Sequence, residues 1–180
     1  ASDAKIVNAK KEDVTGNYAI TYAKGTLEVT KSNALTLSVE DLEKVYDGTA
    51  LTGTATPSVA AGTTVTYTVN NQAVTTPSIT NVGSITVVAT ATNDNYNTVS
   101  EEFTLTVTKK SLKITAGSDT KVYDGTALTK NSYTNDALAT GDSIESVKVT
   151  GSQTIVGKSD NVASDAKIVN AKKEDVTGNY

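Results

Sequence analysis

The chain has 180 residues with 16 Lys, no Arg and 20 Asp+Glu, a formal net charge of −4, and no His, Cys, Met or Trp. These absences exclude a Ser-His-Asp triad, a His-ligated zinc, a thiol nucleophile, an Fe–S cluster and a disulfide. Without Arg there is no bidentate fork for phosphate or carboxylate, and the acidic balance speaks against a duplex nucleic-acid partner.

In chain order, residues 1–18 read ASDAKIVNAKKEDVTGNY, and residues 163–180 repeat them without change at an offset of 162. After them Tyr18, Ile20 and Tyr22 share one face of an extended run. Leu27 and Val29 then alternate with Thr26, Glu28 and Thr30, which predicts a strand ending at Val29-Thr30-Lys31. A new unit opens with Leu35 and Leu37. Residues 38–44 hold the best helix candidate of the chain, and we read them as a loop into the turn at Tyr46-Asp47-Gly48. Val65, Tyr67 and Val69 alternate with Thr66 and Thr68. Phe103, Leu105 and Val107 alternate with Thr104, Thr106 and Thr108. Thr suits the solvent face of a pleated strand because it is both β-branched and polar, and the chain has 32 of them. Further on, Val147 and Val149 flank Lys148. Turn signals separate the runs at Ala61-Gly62, Asn81-Val82-Gly83, Asn93-Asp94-Asn95, Asp124-Gly125 and Gly141-Asp142. No apolar run approaches the roughly 18–20 residues of a membrane span, and no signal peptide is recognisable at the N-terminus.

A shorter repeat lies inside the long one. KVYDGTALT occurs at 44–52 and at 121–129, and Asn17-Tyr18 and Asn95-Tyr96 each precede a closing strand by the same spacing. Three segments follow. Residues 1–31 are the C-terminal part of a type-A repeat domain, 32–109 a complete type-B domain, and 110–180 a type-A domain lacking its closing strands. A segment equivalent to 19–31 would complete that last domain. The missing strands are expected from neighbouring repeats of the same protein or from another copy, as in donor-strand complementation. About seven short strands in about 80 residues predict an all-β tandem array of small antiparallel sandwich domains of immunoglobulin-like type, with a β-grasp-like fold as the alternative.

Tyr46-Asp47-Gly48, its copy Tyr123-Asp124-Gly125, the Gly16-Asn17-Tyr18 and Asn95-Tyr96 pairs, and the closing Gly25-Thr26-Leu27-Glu28-Val29-Thr30-Lys31 resemble the MBG and YDG-type repeats of bacterial cell-surface adhesins. That resemblance implies an extracellular, tandemly repeated β-rich stalk or fibre that projects or spaces adhesive regions. It names no single ligand. The alternatives are a multivalent, low-affinity module for host glycans or mucins and a fibre subunit assembling by strand donation.

Other candidates are weaker. Glu40, Asp41 and Glu43, or Asn93, Asp94 and Asn95, offer oxygen ligands for Ca²⁺ but follow no EF-hand pattern, and a solvated loop is the default. An intramolecular Lys–Asn isopeptide bond would suit a cysteine-free rod, but no diagnostic trio of residues marks one. Glu101 and Glu102 point to opposite faces of a strand and cannot flank one glycosidic bond. Tyr67 and Tyr133 are candidates for stacking on sugars, and core packing is the simpler reading. No enzyme activity, cofactor or metal is expected, and the Tyr-Asp-Gly and Asn-Tyr motifs are read as structural elements.

Overall fold

A computed structural model describes all 180 residues. The chain divides into two compact units, Ala1–Lys31 and Ser32–Tyr180.

The first half of the larger unit is built on one sheet. Its strands are β2 (Leu42–Val45), β5 (Thr64–Val69), β6 (Gln72–Val74), β8 (Gly83–Asn93) and β9 (Tyr96–Thr108), in the order β2-β9-β8-β5-β6. Two short antiparallel ladders accompany it. β1 (Leu37–Ser38) pairs with β4 (Thr56–Pro57), and β3 (Leu51–Thr52) pairs with β7 (Ser78–Ile79). Period-two patterning sets the faces. Val87, Ala89, Ala91, Phe103 and Leu105 point inward and form a core with Leu35, Leu37 and Ala55, against which Leu51, Ile79 and Tyr67 also pack. Each large side chain so buried contributes roughly 1.5–3 kcal/mol of gross stabilisation. On the solvent face hydroxyls pair across strands, Ser84 with Thr106 at 3.0 Å and Thr90 with Ser100 at 2.9 Å. The β5–β6 hairpin turns on Asn70 and Asn71, both at positive φ (50° and 62°), an Asn-Asn version of the tight primed turn.

Two expectations are corrected here. The segment 38–44 is neither helix nor simple loop, because Leu42–Val45 is a strand. The sheet is also not wholly antiparallel, since β2 runs parallel to β9 with Leu42 opposite Leu105 and Lys44 opposite Val107. A parallel neighbour needs a long crossover connection. Here the whole of β3 to β8 lies between the two strands, so β2 can reach the far edge of the sheet. The helical content is two single 3-10 turns, Thr15–Asn17 and Thr177–Asn179. The fold is therefore all-β, with several small sheets consistent with a sandwich.

Beyond residue 109, β10 (Ile114–Ala116) pairs with β11 (Tyr133–Asn135), and β12 (Ser143–Thr150) pairs with β13 (Val162–Val169) through two register shifts. Ala1–Lys31 holds one bridge between Val7 and Asp13 and the 3-10 turn, and no strand covers residues 18–31. The strand predicted there does not form because no segment of the structure pairs with it.

Candidate functional site

The Tyr-Asp-Gly turns are self-contained. Lys44 Nζ donates to Asp47 Oδ1 at 2.7 Å and to the Thr49 carbonyl at 2.7 Å. The same carboxylate oxygen accepts from Thr49 N at 2.8 Å and Thr49 Oγ1 at 2.7 Å. The second copy repeats this, with Lys121 Nζ 2.8 Å from Asp124 Oδ1, and Thr126 N and Oγ1 at 2.9 and 2.8 Å. The lysine ammonium, followed by the threonine donors, holds both Asp carboxyls well below the usual carboxylate range. Gly48 and Gly125 take φ of +83° and +80°, which the turn requires.

What differs between the copies is the surroundings. Tyr46 is 3% exposed and Tyr123 is 63% exposed. Tyr46 lies in a second buried cluster with Val107 and Ala139, against which Val82, Ile79 and Tyr180 pack. This cluster joins the sheet of residues 32–109 to the segment beyond it. The rings of Tyr46 and Tyr180 meet edge to face, with centroids 5.6 Å apart at 78°. Both hydroxyls donate to one oxygen, Asp142 Oδ2, Tyr46 at 2.9 Å and Tyr180 at 2.8 Å. Ala139 N donates to the Tyr180 hydroxyl at 2.9 Å. Burial, then Asp142, raises the Tyr46 hydroxyl above its ordinary pKa. Burial pushes Tyr180 up to about 12, with Asp142 adding to the shift.

A ring of polar contacts surrounds the tyrosines. Val82 N donates to Asn179 Oδ1 at 2.9 Å, and Asn179 Nδ2 donates to Asn81 Oδ1 at 3.0 Å. Thr140 N donates to the Asp47 carbonyl at 3.1 Å, and Lys109 Nζ to the Tyr180 carbonyl at 2.9 Å. Gly48 completes the fit, since a Cβ there would run into the Thr140 carbonyl, whereas nothing lies near the same position on Gly125. Tyr46, Asp47 and Gly48 are thus brought together with Asn179-Tyr180, the second copy of the Asn17-Tyr18 pair. The arrangement is an interdomain clasp.

The remaining sequence-singled residues sit elsewhere. Asn95 and Tyr96 lie where β9 begins, and Ser32 N donates to the Asn95 carbonyl at 3.0 Å. Lys110 N makes the matching bond to the Asn179 carbonyl at 2.9 Å, so each unit ties its first residue to its own Asn-Tyr pair. Asn17 and Tyr18 are exposed in the first unit. Asp41 Oδ1 accepts from Thr104 N and Oγ1, and Asn93 Nδ2 donates to the Ala61 carbonyl and Thr63 Oγ1. No group of three or more Asp or Glu is placed to hold a metal ion. Glu101 and Glu102 are exposed neighbours on β9. Tyr67 is half-buried and accepts from Ala55 N at 3.0 Å, and Tyr133 is half-buried in β11. Sequence reasoning missed Asp142 and Asn81. A lone Asp after a Gly in a turn carries no mark of a shared acceptor, and only its difference from Thr63, at the equivalent place in the first unit, hinted at a separate role.

No curated protein matches the chain. Among solved structures the chain is similar to the Bacteroides ovatus mixed-linkage glucan utilization locus SGBP-B in complex with a mixed-linkage heptasaccharide. The identity is 12% and the TM-score 0.33, over 76% of this chain and 41% of that one. The chain thus spans less than half the length of that neighbour. Residues 35–111 match the family model described as MBG domain, and this stretch belongs to the family that its Tyr-Asp-Gly and Val-Thr-Lys motifs resemble.

Proposed function

We propose that the chain is a segment of a structural stalk or fibre in a bacterial extracellular surface protein, whose repeats space or project adhesive regions. One observation carries this reading: the hallmark Tyr46 of the MBG domain is spent on gripping the next unit and is buried there. A motif residue used at a junction serves the geometry of an array, where each repeat contacts its neighbours. The Lys-Asp-Thr network holds the turn in the same shape at Tyr123, whose ring is free. On this reading Tyr123 is the clasp offered to a following unit. The candidate sugar-stacking residues give no comparable support, because Tyr67 is tied to the backbone of its own unit.

The test is the rotational diffusion of the two halves of Ser32–Tyr180, measured by amide ¹⁵N relaxation on the whole chain. A stalk segment should give one correlation time for residues 32–109 and 110–180, and Gly48→Ala should give two. Independent tumbling in the unaltered protein would remove the stalk reading. Selective binding to a glycan array, abolished by Tyr123→Ala with the single correlation time kept, would favour the glycan-binding alternative instead.

A further inference from the structure

The last sheet of the chain is open along one edge. In the MBG unit β9 has two neighbours at once. It runs antiparallel to β8, with Ile85 opposite Leu105 and Gly83 opposite Val107, and parallel to β2. The C-terminal unit has a counterpart of β8 in β13. Residues 119–122 match β2 by the identity of the KVYDGTALT copies. It has no counterpart of β9. β13 pairs with β12 alone, apart from one bridge between Val169 and Asp175, and residues 119–122 are in no ladder. Between them lies an open cleft of about 690 Å³ whose lining includes Asp119, Lys121, Ile155, Val156 and Asn161. Asn161 Oδ1 is buried without a hydrogen-bond partner, and Ile155 and Val156 present their side chains to solvent.

The chain also carries a segment of the right pattern. The 18 residues that lead into this open edge occur a second time at 1–18, where they are followed by AITYAKGTLEVTK. Tyr18 stands to Leu27 and Val29 as Tyr96 stands to Leu105 and Val107, with no gap. Leu27 and Val29 are 101% and 99% exposed, although their counterparts in β9 are core residues. An alternating strand with bare apolar side chains and an edge lacking one strand are complementary, as in strand addition generally.

We infer that residues 19–31 of one copy of the chain enter the cleft in the C-terminal unit of a second copy as its absent strand. They run antiparallel to β13 and parallel to residues 119–122. By the register of β2 on β9, Leu27 sits opposite Asp119 and Val29 opposite Lys121. The backbone groups of the open edge then gain partners, and the two bare side chains leave water. This inference deepens the stalk reading by naming what joins one segment to the next. The two fail separately, because strand uptake does not depend on whether the Tyr46 junction is rigid.

Two measurements test it. In sedimentation velocity, the weight-average mass of the intact chain should rise with concentration above the 18.6 kDa of one copy. The chain carrying Leu27→Asp and Val29→Asp should stay at that mass. Both side chains are fully exposed, so the substitutions do not threaten the fold of the monomer. A synthetic peptide of residues 18–31 should then bind the doubly substituted chain and slow amide exchange in residues 119–122 and in Val162–Val169. The same peptide with both Asp substitutions should do neither. A chain that remains monomeric at every concentration overturns the inference. So does association that survives the double substitution, or equal binding of the two peptides.

Discussion

Gly48 and Gly125 hold the same place in two copies of one turn, at nearly the same φ, with the same Lys and Thr contacts around the preceding Asp. An alanine at either position must enter the left-handed region, which costs about 1–2 kcal/mol. Only Gly48 faces the carbonyl of Thr140. Gly125→Ala should therefore lower stability by about that strain alone. Gly48→Ala should cost more and also pull Tyr46 away from Asp142. Chemical denaturation of the two variants, read alongside Tyr fluorescence, gives both numbers. Equal losses at the two sites would mean that the junction contributes nothing to the role of Gly48. The turn itself was legible from Asp-Gly in the sequence. Which copy is buried was not, because KVYDGTALT is the same string in both places.

The duplicated 18-residue segment makes the same separation at the level of elements. Asn8 Oδ1 and Asn170 Oδ1 each accept from backbone N–H groups two and four residues on, Lys10 and Glu12 at 2.9 and 3.0 Å, Lys172 and Glu174 at 2.9 and 3.1 Å. Lys11 and Lys173 share a positive φ, and both copies end in the same 3-10 turn. These features depend on sequence neighbours alone. The strand does not. Residues 163–169 pair with β12, while residues 1–7 have no such partner, and Val169 is fully buried where Val7 is half exposed. Amide exchange should show the contrast directly. Residues 163–169 should exchange at least about tenfold more slowly than residues 1–7, with similar rates at the two Asn turns. Equal rates along the strands would mean that the segment is ordered without β12. Hence the alternation of Phe103, Leu105 and Val107 made β9 readable, as did that of Val65, Tyr67 and Val69 for β5. The parallel seat of β2 was not, since pairing partners distant in sequence leave no local mark on Leu42–Val45. Leu27 and Val29 show the converse, a strand pattern that waits for a partner.

At the scale of the molecule, the units meeting at Tyr46 share one cluster, and a carboxylate that accepts from two phenols sits at its rim. The clasp needs both phenols protonated, because a phenolate beside Asp142 has no proton to donate and adds like charge. Burial lifts both hydroxyls above their ordinary pKa of about 10, and Tyr180 reaches about 12. A group whose pKa is higher in the folded than in the unfolded chain contributes stability that is complete below the unfolded value. That contribution is lost as pH rises through the folded value. The junction should therefore hold up to about pH 10 and loosen between about pH 10 and 12. Lysines also lose their charge in this window, so the signature is a comparison. The chain with Tyr46→Phe and Tyr180→Phe should be less stable than the parent at neutral pH, having lost the hydroxyl bonds to Asp142, typically about 1.5–3 kcal/mol each for a charged acceptor. From pH 10 to 12 it should lose less stability than the parent, because it has no phenol to ionise at the junction. Thermal unfolding of both chains across that range decides the matter. Parallel decline of the two curves would show that ionisation of Tyr46 and Tyr180 has no part in holding the units together, and would leave the apolar contacts of Tyr46 with Val107 and Ala139 as the whole of the clasp.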